Sequence, residues 1–302
     1  MQTSLSTEEG RATAARAADF SVEPCSELLG AVITGLDIRD DARVITQMDH
    51  LKALVRQYKL LVFRDQTITE DDLERFGERF GTLGRSVSET RDGHIDKPTI
   101  QYVTNLDKEG RPSRTPYRNS NYFWHSDRLV FRNGLAMVML YGVELPPRGG
   151  DTQWADMAAA YDGLSEADKD LVNGLRAVHS FEYMRNERMH RPLTEQERQV
   201  VPAPIEHPLV RTDPDTGRQS LLLGMYACEV VGMPIDTGRA LLRRLEEHAT
   251  QARYLYTHVW RPGDFAIWDN LCTMHRALPN YDMEGQRRIM MRCAVESTRP
   301  IQ

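Results

Sequence analysis

The chain of 302 residues is poor in the features that would tie it to a polymer or a membrane. Its 38 Lys and Arg are outnumbered by 44 Asp and Glu, giving a net charge of −6. Without a basic excess there is no electrostatic footprint for nucleic acid. No apolar run approaches the ~18 residues of a membrane span. Met1 to Asp19 is rich in Ser, Thr, Ala and Glu and lacks the apolar core of a secretory signal, so it is expected to be a disordered tail. The four cysteines (Cys25, Cys228, Cys272 and Cys293) are widely spaced and form no Cys-x-x-Cys. That excludes a disulfide framework or a structural zinc site and fits reduced thiols in a cytoplasmic protein. Internal repeats and low-complexity tracts are also missing.

What remains reads as one domain, residues 20–302, large enough to bury a sizeable core. Gly30 to Gly35 predicts a short strand between glycines, and Leu51, Leu54 and Val55 a helical stripe over 48–58. Leu60–Phe63 is a buried strand. Thr69 is the N-cap of a helix with Glu70, Asp71 and Asp72 in its first turn, where the helix dipole favours acids, and Gly81 ends it. From Thr99 onward β signals dominate, with strands expected at 100–104, 135–143, 177–183, 209–212, 220–223, 254–260, 265–268 and 288–295. Asp213–Gly217 and Pro262-Gly263-Asp264 supply turn chemistry. Helices are expected from Ser165 to Leu175 and from Thr237 to His248. Many short strands separated by turns define a mainly β fold with flanking helices, a sandwich or jelly roll.

The chemistry concentrates in a few positions. In Phe123-Trp124-His125-Ser126-Asp127 an extended backbone sends His125 and Asp127 out on one face, because strand side chains repeat with period two. Adding His275 from a distant segment would place two imidazoles and a carboxylate at three corners of a metal. That set leaves open positions and is diagnostic of non-haem Fe(II) oxygenases. Arg288, Met290 and Arg292 share one face of a strand and Ile289, Met291 and Cys293 the other. If both faces are buried, two guanidinium groups point inward and need partners, and an acidic small molecule would match their fork. Gly149-Gly150-Asp151-Thr152 offers a hydroxyl beside a close backbone approach. Each piece alone has an ordinary explanation: a polar strand edge, a hydrogen-bonded core histidine, arginines facing water, a glycine turn.

Together, from about Val22 to Val295, the motifs resemble the taurine/2-oxoglutarate dioxygenase family. They are Trp124-His125-Ser-Asp127, Gly149-Gly-Asp-Thr152-Gln-Trp, Trp260-Arg-Pro-Gly-Asp264, Trp268-Asp-Asn270, and His275 followed by Gln286-Arg-Arg288-Ile-Met-Met-Arg292. The stretch His207 to Arg218, with Ala240-Leu-Leu and His248-Ala-Thr-Gln, is similar to the branch containing 2,4-dichlorophenoxyacetate dioxygenase. The resemblance implies a double-stranded β-helix of the cupin-like, jelly-roll kind and assembly as a dimer or tetramer. It implies His125, Asp127 and His275 as ligands of Fe(II), with Thr152 and Arg288 holding the distal carboxylate of 2-oxoglutarate, consumed with O2. Asn121 and Arg292 match positions that contact a small anionic substrate. The implied reaction hydroxylates an unactivated C–H, releases succinate and CO2, and favours an aryloxyalkanoate-like carboxylate. Desaturation or cyclisation in a natural-product pathway is the alternative outcome, and a metal-free acid-binding jelly roll the alternative class. Asp127 itself argues against halogenation, since related halogenases carry a small residue at that corner. One departure is informative: after Phe80-Gly-Thr-Leu83, where some relatives carry a substrate-binding histidine, Gly84-Arg-Ser-Val stands here, pointing away from a taurine-like substrate. Tyr122, Phe123, Met225 and Tyr226 are candidates for an apolar wall, and Arg185, Arg188 and His190 for a lid or a solvated loop.

Overall fold

Seven strands form the large sheet of the computed structural model, which describes residues 20–85, 97–113 and 120–301. Their order is Ser21–Pro24, Ala31–Thr34, Leu60–Phe63, Phe265–Asp269, Leu135–Glu144, Ile289–Glu296 and Gln101–Thr104. Neighbours are antiparallel except Ala31–Thr34 with Leu60–Phe63, which run parallel. A three-stranded sheet is built from Leu255–His258, Thr152–Asp156 and Thr273–Ala277. Leu60, Val62, Val138, Leu140, Ala266, Trp268, Met290 and Ala294 from the large sheet share one core with Trp154 from the small one. This pairing of sheets is the jelly-roll arrangement expected. The expected tail, and Ser86 and Val87 of the Gly84–Val87 departure, lie outside the described residues.

The strand Leu60–Phe63 shows why its sequence is apolar throughout. Leu60 and Val62 face the inter-sheet core, while Leu61 and Phe63 pack under two helices on the outer face. Those helices are Asp41–Tyr58, which begins earlier than its apolar stripe alone suggests because Asp40 caps it by accepting from Arg43 N, and Glu70–Glu78. In the second, Thr69 and Asp72 form a reciprocal capping box, and Leu73 and Phe76 are buried. Each such fully buried Leu or Phe contributes about 1.5–3 kcal/mol. Ile289–Glu296 has the same two-sided character: Met291, Cys293 and Val295 join the helix-covered core, Met290 and Ala294 the inter-sheet core. Both faces of the strand are therefore buried; Arg288, the residue before it, is buried as well, and the Arg292 side chain within it is 16% exposed.

A second helical layer, Met157–Asp162 with Ile235–Ala249, covers the small sheet, burying Leu241, Leu242 and Leu245 as expected. The expected strand 177–183 is shorter. It ends at His179 because the Ser180 hydroxyl accepts from Tyr183 N and caps a helical turn, Phe181–Tyr183. The small-sheet strand Thr273–Ala277, which carries His275, is one that hydropathy reading did not mark. All four cysteines are free. No helix among the described residues is long and apolar enough to cross a membrane.

Candidate metal centre

His125 follows a short 3-10 turn, Ser120–Tyr122, and meets His275 across an isolated antiparallel bridge closed by both backbone hydrogen bonds, 3.1 and 2.7 Å. Their rings lie 4.1 Å apart. Asp127, two residues further along, returns to the same side. Its carboxylate oxygens lie 3.8 Å from Nε2 of His125 and 3.8 Å from Nε2 of His275. That is too long for a hydrogen bond. It is shorter than twice a ~2.1 Å metal–nitrogen bond, so one ion can touch all three. Among the described residues these three are the one group of His, Cys, Asp and Glu gathered closely enough to hold a metal.

The surroundings fit that use. His125 Nδ1 lies 2.7 Å from Phe123 O, so as a donor it leaves Nε2 with its lone pair facing Asp127. Burial pushes both imidazoles below the usual histidine range, keeping them neutral as ligands must be. Burial would raise Asp127, but the Arg292 guanidinium, donating to it at 2.9 Å, outweighs that and holds the carboxyl well below its ordinary range. His275 Nδ1 is buried without a partner, while its ring rests against Trp268 at 4.8 Å.

Two supports were not foreseen as such. Asn270, fully buried, accepts from Asp127 N at 2.8 Å and donates to Asp127 O and Leu135 O, each at 3.0 Å. Gly224 adopts φ +112, and an added Cβ would stand 3.0 Å from Trp124 O and 3.1 Å from His125 Cα, so only glycine fits against the bridge. The signal for Asn270 was present in Trp268-Asp-Asn270, but its role depends on a contact spanning more than a hundred residues of sequence.

Arg288 is 6% exposed and fixed on three sides. Its backbone N donates to Asn105 Oδ1 at 2.8 Å, its Nε to Gly150 O at 2.8 Å, and its Nη2 to Thr152 Oγ1 at 3.4 Å. A Cβ on Gly150 would meet Arg288 Cδ at 3.0 Å, so the close approach read from the glycine pair serves the arginine. Arg288 lines a small cavity together with Thr104, Asn121, Tyr122 and Tyr281. Arg292 stands four strand residues on, roughly 13 Å. Its Nη2 donates to Asp127 Oδ2 at 2.9 Å and its Nη1 to Gln101 Oε1 at 3.2 Å. Asn121 and Gln101 line an adjoining cavity with Tyr122.

Of the proposed apolar wall, Phe123, Met225 and Tyr226 do cluster, joined by Met184, Met189 and Phe181; Tyr122 lies apart, toward Arg288. In the Arg185–His190 stretch His190 is exposed, while the arginines before it are held in an ordered turn. Met184–Arg188 is a π-helical turn, with Arg185 buried and paired with Glu197 and Arg188 3.4 Å from Glu246.

Fold and site together are those of a metal- and oxo-acid-dependent oxygenase. Residues 21–294 match the model of the taurine catabolism dioxygenase TauD, TfdA family, and the chain belongs to that family. It is 34% identical, over 88% of its length and 94% of the relative's, to an alpha-ketoglutarate-dependent 2,4-dichlorophenoxyacetate dioxygenase of Cupriavidus pinatubonensis. It is 33% identical, over 90% and 93%, to an (S)-phenoxypropionate/alpha-ketoglutarate-dioxygenase of Sphingobium herbicidovorans. The crystal structure of AAD-2 with Mn(II) and N-oxalylglycine superposes with a TM-score of 0.83 at 32% identity, covering 94% of this chain and 98% of that one. Membership in a dioxygenase family sets aside the metal-free binding protein.

Proposed function

We propose that this protein is an Fe(II)- and 2-oxoglutarate-dependent dioxygenase that hydroxylates a small anionic organic substrate, an aryloxyalkanoate-like carboxylate first among candidates. The observation that carries the reading is the convergence of two imidazole Nε2 atoms, each 3.8 Å from one carboxylate, beside a buried guanidinium that can meet a dicarboxylic acid. His125, Asp127 and His275 are assigned to the metal. Thr152 and Arg288 are assigned to the distal carboxylate of 2-oxoglutarate, and Asn121 and Arg292 to the substrate's anion.

When bound, Fe(II) supplies the redox chemistry by which O2 gives one oxygen atom to 2-oxoglutarate, yielding succinate and CO2, and the other to a substrate C–H. The chain's own part is positioning. Asn270 holds Asp127 by its backbone, Phe123 O orients His125, and the β-bridge keeps the two rings in register. Arg288 presents guanidinium donors in a buried site, where an unpaired charge is costly and a carboxylate partner is correspondingly favoured. If the substrate is an aryloxyalkanoate, hydroxylation of the carbon next to the ether oxygen gives a hemiacetal, which collapses to a phenol and an oxo acid.

Support for the substrate class is the identity with the two aryloxyalkanoate-named relatives and the positive charge of Arg292 beside Asp127. The reading extends to residues 20–302 as a single domain of a cytoplasmic, homo-oligomeric enzyme, the last testable by light scattering. The functional test is oxygen uptake with Fe(II) and 2-oxoglutarate across a panel of aryloxyalkanoates, sulfonates, sulfate esters and amino acids. Stimulation by an aryloxyalkanoate, with release of the phenol and an oxo acid that together carry one added oxygen atom, supports the proposal. A product lighter by two hydrogens would assign desaturation instead, and stimulation by sulfonates alone would overturn the substrate class.

A further inference from the structure

Thr152 is 2% exposed, and its hydroxyl oxygen is already hydrogen-bonded from two sides. Trp260 Nε1 donates to Oγ1 at 2.9 Å, and Arg288 Nη2 approaches the same atom at 3.4 Å. A hydroxyl has one proton to give and two lone pairs with which to accept. An indole N–H and a guanidinium can only donate. With both lone pairs engaged, Thr152 is left as a donor, and no described residue accepts its proton. Beside the cavity that Arg288 lines, Thr152 and Arg288 together therefore offer donors and no acceptor.

Trp260 is itself locked. It is 7% exposed, and its ring stands edge-on to His258, with centroids 4.8 Å apart and planes at 88°. His258 Nε2 lies 2.9 Å from Asp264 Oδ2 and its Nδ1 3.1 Å from the Tyr256 hydroxyl. Asp264 in turn accepts from Arg64 Nη1 at 2.6 Å. His258 is also the register partner of Thr152 across the small sheet. One buried network thus fixes both the indole and the backbone of the hydroxyl it orients.

We infer that Trp260 is a positioning residue for the co-substrate. By occupying a lone pair of Thr152 it turns the hydroxyl into an obligate donor, so that the pocket selects an oxo acid whose far end is a carboxylate. The inference rests on the assignment of Thr152 and Arg288 to 2-oxoglutarate made above. Losing the indole N–H leaves Thr152 free to rotate and to accept, and one buried hydrogen bond of this kind corresponds to a weakening of about 5- to 30-fold.

The test is calorimetric binding of 2-oxoglutarate to the full chain under anaerobic conditions, with Mn(II) in place of Fe(II). A parallel titration uses 2-oxobutyrate, which keeps the oxo-acid end and lacks the distal carboxylate. Trp260→Phe is expected to weaken 2-oxoglutarate by that factor and leave 2-oxobutyrate unchanged. In a Thr152→Val background, Trp260→Phe should add no further loss, since the indole acts through the hydroxyl. If Trp260→Phe disturbs folding, replacement of Trp260 by benzothienylalanine, which exchanges the N–H for sulfur in the same ring shape, reads the same quantity. Unchanged 2-oxoglutarate binding, equal loss for both acids, or additive losses in the double variant would each overturn the inference. Failure of the unaltered protein to bind 2-oxoglutarate would instead remove the functional reading on which it stands.

Discussion

His125 and His275, 150 positions apart in sequence, face each other across a two-bond β-bridge, and Asp127 lies 3.8 Å from each ring's Nε2. The geometry of the candidate metal centre is therefore set by backbone hydrogen bonding before any ion arrives. Adjustment falls to Asp127, whose place depends on Asn270 and Arg292.

Asn270→Ala removes an acceptor for Asp127 N and donors to two carbonyls in a fully buried position. Metal affinity is expected to fall about 10- to 100-fold, the usual effect of losing a supporting contact behind a ligand. Anaerobic titration with Fe(II), on protein shown to be folded by circular dichroism, measures it. Affinity equal to that of the unaltered chain would mean that the backbone clamp on Asp127 does not matter.

Lys59 and Asp156 form a buried ion pair at 2.7 Å, with side chains 9% and 0% exposed, tying the helix-bearing sheet to the strand that carries Thr152. Asp156 also caps the helix Met157–Asp162. Lys59→Met strands the carboxylate, and a loss of about 3–5 kcal/mol is expected. Urea unfolding with an unchanged m-value and a lower midpoint is the signature.

His179 is fully buried, and neither ring nitrogen has a hydrogen-bond partner. Burial, then neighbouring His207, depresses it to about 3 from an ordinary 6.5. The unfolded chain therefore binds a proton at this site between those values while the folded chain does not, so stability is whole above about 6.5 and declines as pH falls. The slope from this residue is up to about 1.4 kcal/mol per pH unit. His179→Leu should shallow the acid limb between pH ~6.5 and ~4. Parallel stability curves for the two proteins would contradict it.

Arg292 spans Asp127 Oδ2 and Gln101 Oε1 with separate guanidinium nitrogens, a reach an ammonium cannot copy. Arg292→Lys is expected to raise the substrate KM about tenfold or more while leaving the binding of 2-oxoglutarate, held by Arg288, near its original value. Equal damage to both would mean that the two arginines act as one unit.

Much of this was legible in the chain. The buried run Leu60–Phe63, the Thr69 cap and the two-faced strand after Arg288 follow from local periodicity and capping, and the structure keeps them. The convergence of His125, Asp127 and His275 was readable as a pattern of residue types. Not legible were the roles of Asn270, Gly224 and Trp260, which arise from contacts across the sheets and leave no periodic trace. The π-helical turn at Met184–Arg188 escaped for another reason. Its arginines look like a solvated loop until Glu197 and Glu246 are brought beside them by folding.

The central claim is that His125, Asp127 and His275 hold one ferrous ion that turns over 2-oxoglutarate. Its most direct test is succinate release from 2-oxoglutarate on adding Fe(II) and ascorbate, in the unaltered chain and in Asp127→Ala. The account predicts iron-dependent succinate from the first and none above background from the second. An unaltered rate in Asp127→Ala would contradict it.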